Sequence, residues 1–222
     1  MLRDKAIDRQ WASMFIPAKD FLGVSSSVIT KAIIDADATS AGLALSNLGG
    51  ADTTTAIMTA LAGTSIKMNG LLVNDTSDVL QTLLVNTKQI DWANPVRFRI
   101  HYTSTSVTSA DTITWVVQYR LLTADAAMSA ASLVALDTPI TAQTNGSTTP
   151  NLLKITPTGV LAASTIAPTA SQHVLLQVSA STITFASSKK PYLLGLEIGY
   201  IPHLAYGIDV ASRGLAVNNP PW

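Results

Sequence analysis

The chain has no cysteine, and that absence removes disulfides, thiolate zinc sites and a thiol nucleophile from consideration. A reducing compartment and cytosolic synthesis are the simple expectation. Charge is scarce as well: Lys, Arg, Asp and Glu make up 13% of 222 residues, and the formal net charge is zero. That share is about half of the usual one, so there is no field to attract nucleic acid or an anionic membrane. Between Ala126 and Ser188 the only ionised side chains are Asp137 and Lys154, and Ser, Thr and Ala hold the positions where Lys and Glu are common. Little repulsion keeps copies apart, which suits a protein packed among others. No apolar run approaches the roughly 20 residues of a membrane span, and the start, Met1-Leu-Arg-Asp-Lys5, lacks the apolar centre of a signal peptide. Neither export nor insertion is expected.

What is present reads as strands. Tyr192-Leu-Leu-Gly-Leu-Glu-Ile-Gly-Tyr200 alternates without a break: Tyr192, Leu194, Leu196, Ile198 and Tyr200 fall on one face, and Leu193, Gly195, Glu197 and Gly199 on the other. One face must be buried. Gly195 and Gly199 leave room for something to approach the other face closely. Val96 to Tyr102 repeats the design, with Val96, Phe98, Ile100 and Tyr102 inward and Arg97, Arg99 and His101 outward. In Ile113 to Leu121, the residues Ile113, Trp115, Val117, Tyr119 and Leu121 share a face. Further strands are expected at Val79–Val85, Ser132–Leu136, Leu152–Thr156, His173–Ala180 and Thr182–Phe185, with Asn145-Gly146 and several Pro and Ser/Thr clusters as turns. About eight strands without intervening helical periods indicate an all-β antiparallel sandwich or barrel, and a jelly-roll β-sandwich is the best single description.

Two regions read differently. Ile7, Trp11, Met14 and Phe15 stand at helical spacing opposite Asp4, Lys5, Asp8 and Arg9, which predicts a short amphipathic helix ending before Pro17. Its apolar stripe must dock on its own domain or on a neighbour. From Val24 to Gly70 the chain is rich in Ala, Ser, Thr and Gly, and Asp52 is placed to cap a helical turn through Ile57, Met58 and Leu61. Short helices and loops are predicted there. The expected organisation is an N-terminal arm over 1–20, an Ala/Ser/Thr-rich insertion or arm over 21–70, the sandwich over 71–203 and an extended C-terminal tail over 204–222.

Chemistry is hard to find in this sequence. It contains no nucleophile elbow, phosphate loop, dinucleotide fingerprint or zinc helix, and Gly63-Thr-Ser-Ile-Lys67 lacks the spacing that wraps a phosphate. His101, His173 and His203 are scattered, and none has a carboxylate beside it in sequence. Glu197, the only glutamate, reads as half of a cross-strand ion pair with an outward arginine. Asp35, Asp37, Asp75 and Asp78 lack the spacing of a calcium loop and read as turn and cap residues. The strand aromatics Trp115 and Tyr119 read as core. No enzyme and no cofactor are expected.

Several segments together resemble structural proteins of tailed bacteriophages: Phe15-Ile-Pro-Ala18, Leu71-Leu-Val-Asn-Asp-Thr-Ser-Asp-Val-Leu80, Asn94-Pro-Val-Arg-Phe-Arg-Ile-His-Tyr102, Ile113-Thr-Trp-Val-Val117 and Leu193-Leu-Gly-Leu-Glu-Ile-Gly-Tyr200. The resemblance covers Ile16 to Tyr200 in scattered blocks. It departs over Val24–Gly63 and after Tyr206, where arms particular to one particle are expected. It implies a jelly-roll sandwich and a place in the virion without fixing which place; the leading expectation is a decoration or cement protein on the capsid surface, binding the major capsid protein and forming a homotrimer. The alternative it leaves open is a tail, neck or fibre-associated protein contacting the host surface or a glycan. Ile7, Trp11, Phe15 and Trp222 are the expected capsid or subunit contacts. On this reading, removing Met1–Lys19 or Val217–Trp222 should leave the sandwich folded but weaken attachment.

Overall fold

The computed structural model describes residues 11–25, 28–30, 58–61, 68–73, 76–84, 87–124, 132–166, 168, 172–186, 189 and 191–203. Ile7, Trp222, Asp35, Asp37, Asp52 and Asp75, and with them the proposed tail over 204–222, lie outside the described residues. The described chain is nearly all β, with single 3₁₀ turns at Ala18–Asp20 and Thr87–Gln89. Two antiparallel sheets pack face to face as a sandwich.

The first sheet is centred on β7 (Val96–Ser104) and β14 (Pro191–Tyr200). One edge of β14 is covered along its length by β1 (Ala12–Pro17) and then β5 (Met68–Leu72), with β4 (Met58–Leu61) beyond β5. The free edge of β7 takes two short strands, β11 (Lys154–Ile155) and β12 (Gly159–Leu161). In the second sheet β13 (Gln172–Ile183) lies between β6 (Val79–Leu84) and β8 (Thr112–Thr123). Outside β6 come β2 (Leu22–Ser25) and β3 (Val28–Thr30); outside β8 come β9 (Val134–Ala135) and β10 (Gln143–Thr144). Along the chain β5, β6, β7 and β8 alternate between the sheets, and β13 and β14 then intercalate, each between two earlier strands.

The core forms where the two inner faces meet. Phe98, Ile100 and Tyr102 of β7, with Leu196 and Ile198 of β14, face Trp115 and Val117 of β8, Val174, Leu176 and Val178 of β13, and Leu80 and Leu84 of β6. Each is an alternate position of its strand, as a period of two dictates. The Tyr102 ring meets Trp115 edge to face at 5.6 Å across the two sheets, and burial pushes the Tyr102 hydroxyl up to about 12.

Three expectations need correction. The helix through Trp11, Met14 and Phe15 is instead strand β1, paired with β14 at all six of its residues. Trp11, Ser13 and Phe15 are exposed, while Ala12, Met14 and Ile16 pack against the core. In so short a window the same apolar positions satisfy both periods, and pairing with a waiting strand edge decides between them. Removing Met1–Lys19 would therefore take a strand of the first sheet with it, and not an arm alone.

Second, the stretch read as short helices contains strands at Leu22–Ser25, Val28–Thr30, Met58–Leu61 and Met68–Leu72. The turn of helix through Met58 and Leu61 is one of these strands; Ile57 lies outside the described residues. Small residues weaken the period-two signal there, and the partner strands supply the order.

Third, β14 is not an unbroken alternation. Its register against β7 shifts between Leu193 and Gly195, so that Leu193 and Leu194 are both buried and the face changes at the bulge. A second shift lies between Ala180 and Thr182, and it fuses the two strands expected over 173–185 into one bulged β13.

Candidate functional site

The outward face of the first sheet collects the side chains with chemical character. Because β1, β14 and β7 are in register, they form cross-strand rows: Phe15 beside Glu197 beside Arg99, Ser13 beside Gly199 beside Arg97, and Pro17 beside Gly195 beside His101. β12 and β11 extend two of these rows, with Val160 opposite Arg97 and Ile155 opposite His101.

Glu197 is the hub of this face. Arg99 Nη2 donates to its Oε1 at 2.9 Å, and His101 Nε2 stands 3.0 Å from its Oε2. The bond to His101 comes first in holding its carboxyl below the usual 4.5, the Arg99 charge and hydrogen bond add to this, and partial burial opposes it. The cross-strand ion pair read from the sequence is therefore present. The histidine was not legible, because His101 and Glu197 are 96 positions apart and only the pairing of β7 with β14 brings them together.

The two glycines of β14 have an identified occupant. A Cβ added at Gly195 would collide with Phe15 Cζ and lie 2.6 Å from the Ile16 carbonyl oxygen. The Phe15 ring crosses this gap and meets His101 edge to face at 5.1 Å. At Gly199 the Trp11 ring edge lies 3.7 Å from where a Cβ would be, and the Arg97 guanidinium stacks over the Trp11 ring at 4.0 Å from its centroid. What approaches the glycine face is thus the chain's own first strand. Trp11 and Phe15 nevertheless stay 43% and 49% exposed, an unusual state for large aromatics held on rigid strands. Of the four contact residues expected from the sequence, these two are brought together on one face, and Ile7 and Trp222 lie outside the described residues.

Between Trp11 and Glu197 runs an open groove of about 360 Å³, lined by Trp11, Ala12, Ser13, Arg97, Arg99, Thr158, Glu197 and Gly199. Ser13 and Thr158 carried no signal in the sequence; Ser13 joins the groove through the register of β1 with β14, and Thr158 from the position just before β12.

A second polar cluster ties loops together at one end of the sandwich. Asn145 is buried, its amide donates to the carbonyls of Thr108 at 3.0 Å and Ser147 at 2.8 Å, and its Oδ1 accepts from Ser104 at 3.1 Å and from Lys154. Lys154 also donates to the Asn145 carbonyl, and desolvation lowers its pKa from 10.5. Gly146 turns the chain at φ 62°. Every polar atom of Asn145 thus has a partner, and the cluster reads as loop anchorage.

Among the described residues, no group of three or more His, Asp or Glu side chains comes together that could hold a metal, and no helix is long and apolar enough to cross a membrane. No protein-family model matches the chain, and no curated protein matches it.

Proposed function

We propose that this chain is a virion structural protein, a decoration or cement protein that binds the outside of a tailed-phage head and bridges neighbouring major capsid subunits, most simply as a homotrimer. The observation that carries the reading is the outward face of β1, β14 and β7, where Trp11 and Phe15 are presented half-exposed on paired strands instead of being buried. Aromatic and arginine side chains on a rigid support are what binding hot spots are made of. The segments that resemble tailed-phage structural proteins support the same reading. So does the alternation of strands between sheets with β13 and β14 intercalated, an order that a jelly roll would have. The fold alone would not assign a role, since sandwiches of this kind host many functions.

The mechanism is binding linkage. A ligand that prefers the mature shell adds its binding free energy to that shell, and no catalytic step is needed. A tail, neck or fibre position with contact to the host surface or a glycan is the second reading, and the polar groove beside Trp11 favours it.

The deciding experiment is a count of copies per virion by quantitative mass spectrometry, normalised to the major capsid protein. Hundreds of copies are expected for a shell-covering protein. About a dozen would move it to the tail or neck, and none would end the virion reading.

A further inference from the structure

The groove on the first sheet combines groups that a general contact surface does not need together. Arg97 lies against the Trp11 ring, and among the described residues it has no carboxylate partner, so its guanidinium donors remain available. Glu197 gives one oxygen to Arg99 and the other to His101, and each oxygen retains a lone pair. The hydroxyls of Ser13 and Thr158 can donate or accept, and the indole of Trp11 supplies an apolar wall. Gly199 keeps the floor low.

We propose that this groove binds a saccharide. A sugar ring presents adjacent hydroxyls, each both donor and acceptor, around an apolar face of C–H groups. It therefore suits a site where a planar guanidinium, a carboxylate, two hydroxyls and an exposed aromatic line one concavity. An acidic peptide would find the arginines but meet the Glu197 charge. An apolar segment would strand too many polar groups without partners. The volume, about 360 Å³, is at the small end for ligand sites and fits a short saccharide, not a long helix or a large cofactor. Arg97 is the central hydrogen-bonding residue, held in place by its stack on Trp11, so that little rotamer freedom is lost on binding. The inference deepens the second reading above, that of glycan contact, and rests on it for the ligand class, but it does not depend on whether the chain sits on head or tail.

The test uses the full-length protein on an array of neutral, N-acetylated and uronic-acid oligosaccharides, followed by calorimetric titration of the best-bound sugar. Retention of at least one class is expected. Arg97→Ala and Thr158→Val should each weaken it by about tenfold or more, a loss typical of one good polar contact, while the thermal unfolding transition stays in place. Arg97→Lys, which keeps the charge but not the fork, should weaken binding too. Three outcomes would overturn the proposal: no saccharide held by the native protein, undiminished binding by both Arg97→Ala and Thr158→Val, or capture of a polyglutamate peptide in place of any sugar. The copy count per virion is independent of all of these, so failure here and failure of the cement reading are separate results.

Discussion

The two sheets of the sandwich share one inner design and differ on their outer faces. On the second sheet the central row is uncharged: Gln81 Nε2 donates to Gln177 Oε1 at 2.8 Å, and Gln177 Nε2 donates to Gln118 Oε1 at 3.0 Å, a three-strand amide ladder. Gln177 is only 7% exposed and is fully engaged. On the first sheet the corresponding central row is Phe15, Glu197 and Arg99, with Trp11, Arg97 and His101 around it. On the second sheet the glutamine row satisfies its own hydrogen-bonding groups, although Arg120 Nε on the same face is buried with no hydrogen-bond partner among the described residues; the first sheet leaves aromatic surface and donors open. The inner faces make the fold, while the outer face of the first sheet is the one on which we propose that partners dock.

The comparison can be tested from the inside out. Trp115→Ala, at the shared interior, should cost about 3–5 kcal/mol and lower the stability of both sheets in one transition by chemical denaturation. Two separate transitions would show that the sheets are not one cooperative unit. Next in size is Gly195→Val, whose side chain would collide with Phe15 and press on the Ile16 carbonyl. We expect a loss of about 1–3 kcal/mol and faster amide exchange along β1. The matching change on the second sheet, Ser179→Val, lies between Val79 and Val116 and should stay within about 0.5 kcal/mol of the native protein. Equal costs would remove the claim that β14 is glycine-bearing to admit the aromatics.

The hydrogen-bonded rows give the smaller effects. Gln177→Ala should cost about 1 kcal/mol, with little dependence on salt or on acid pH, because the ladder has no titratable member. Glu197→Gln should cost less than about 1 kcal/mol, since Arg99 is 46% exposed and water screens the pair. Here salt and pH matter. The Glu197 carboxyl is held below 4.5 in the folded state, so its contribution is complete above that value and fades as the pH falls below it. The difference between the native protein and Glu197→Gln should therefore shrink on acidification and in high salt. A difference that instead grew toward acid pH would contradict the hydrogen-bonded ion pair as the source.

How much was legible depends on where each residue's partners come from. The strands over 79–85, 96–102 and 113–121 follow from alternation alone, since a half-buried strand shows its period in a single window. The outward placement of Arg97, Arg99, His101 and Glu197 follows likewise, as does the need for something close above Gly195 and Gly199. Trp11 and Phe15 were singled out in the sequence as contact residues on a docking helix, not as exposed side chains on the same sheet face as Glu197.

By itself, then, the sequence determined that this protein is all-β, that it relies on a core without disulfides, and that one strand face would carry the charge. Only the tertiary structure decided that residues 12–17 are a strand and not a helix, that β14 and β13 change face at bulges, that Trp11 meets Arg97 and that Glu197 meets His101. The physical reason is range. Alternation is a property of neighbours in the chain, whereas register, bulges and the coming together of β1, β7 and β14 depend on hydrogen-bonding edges that lie about a hundred or more positions apart and exist only once the sheet has formed.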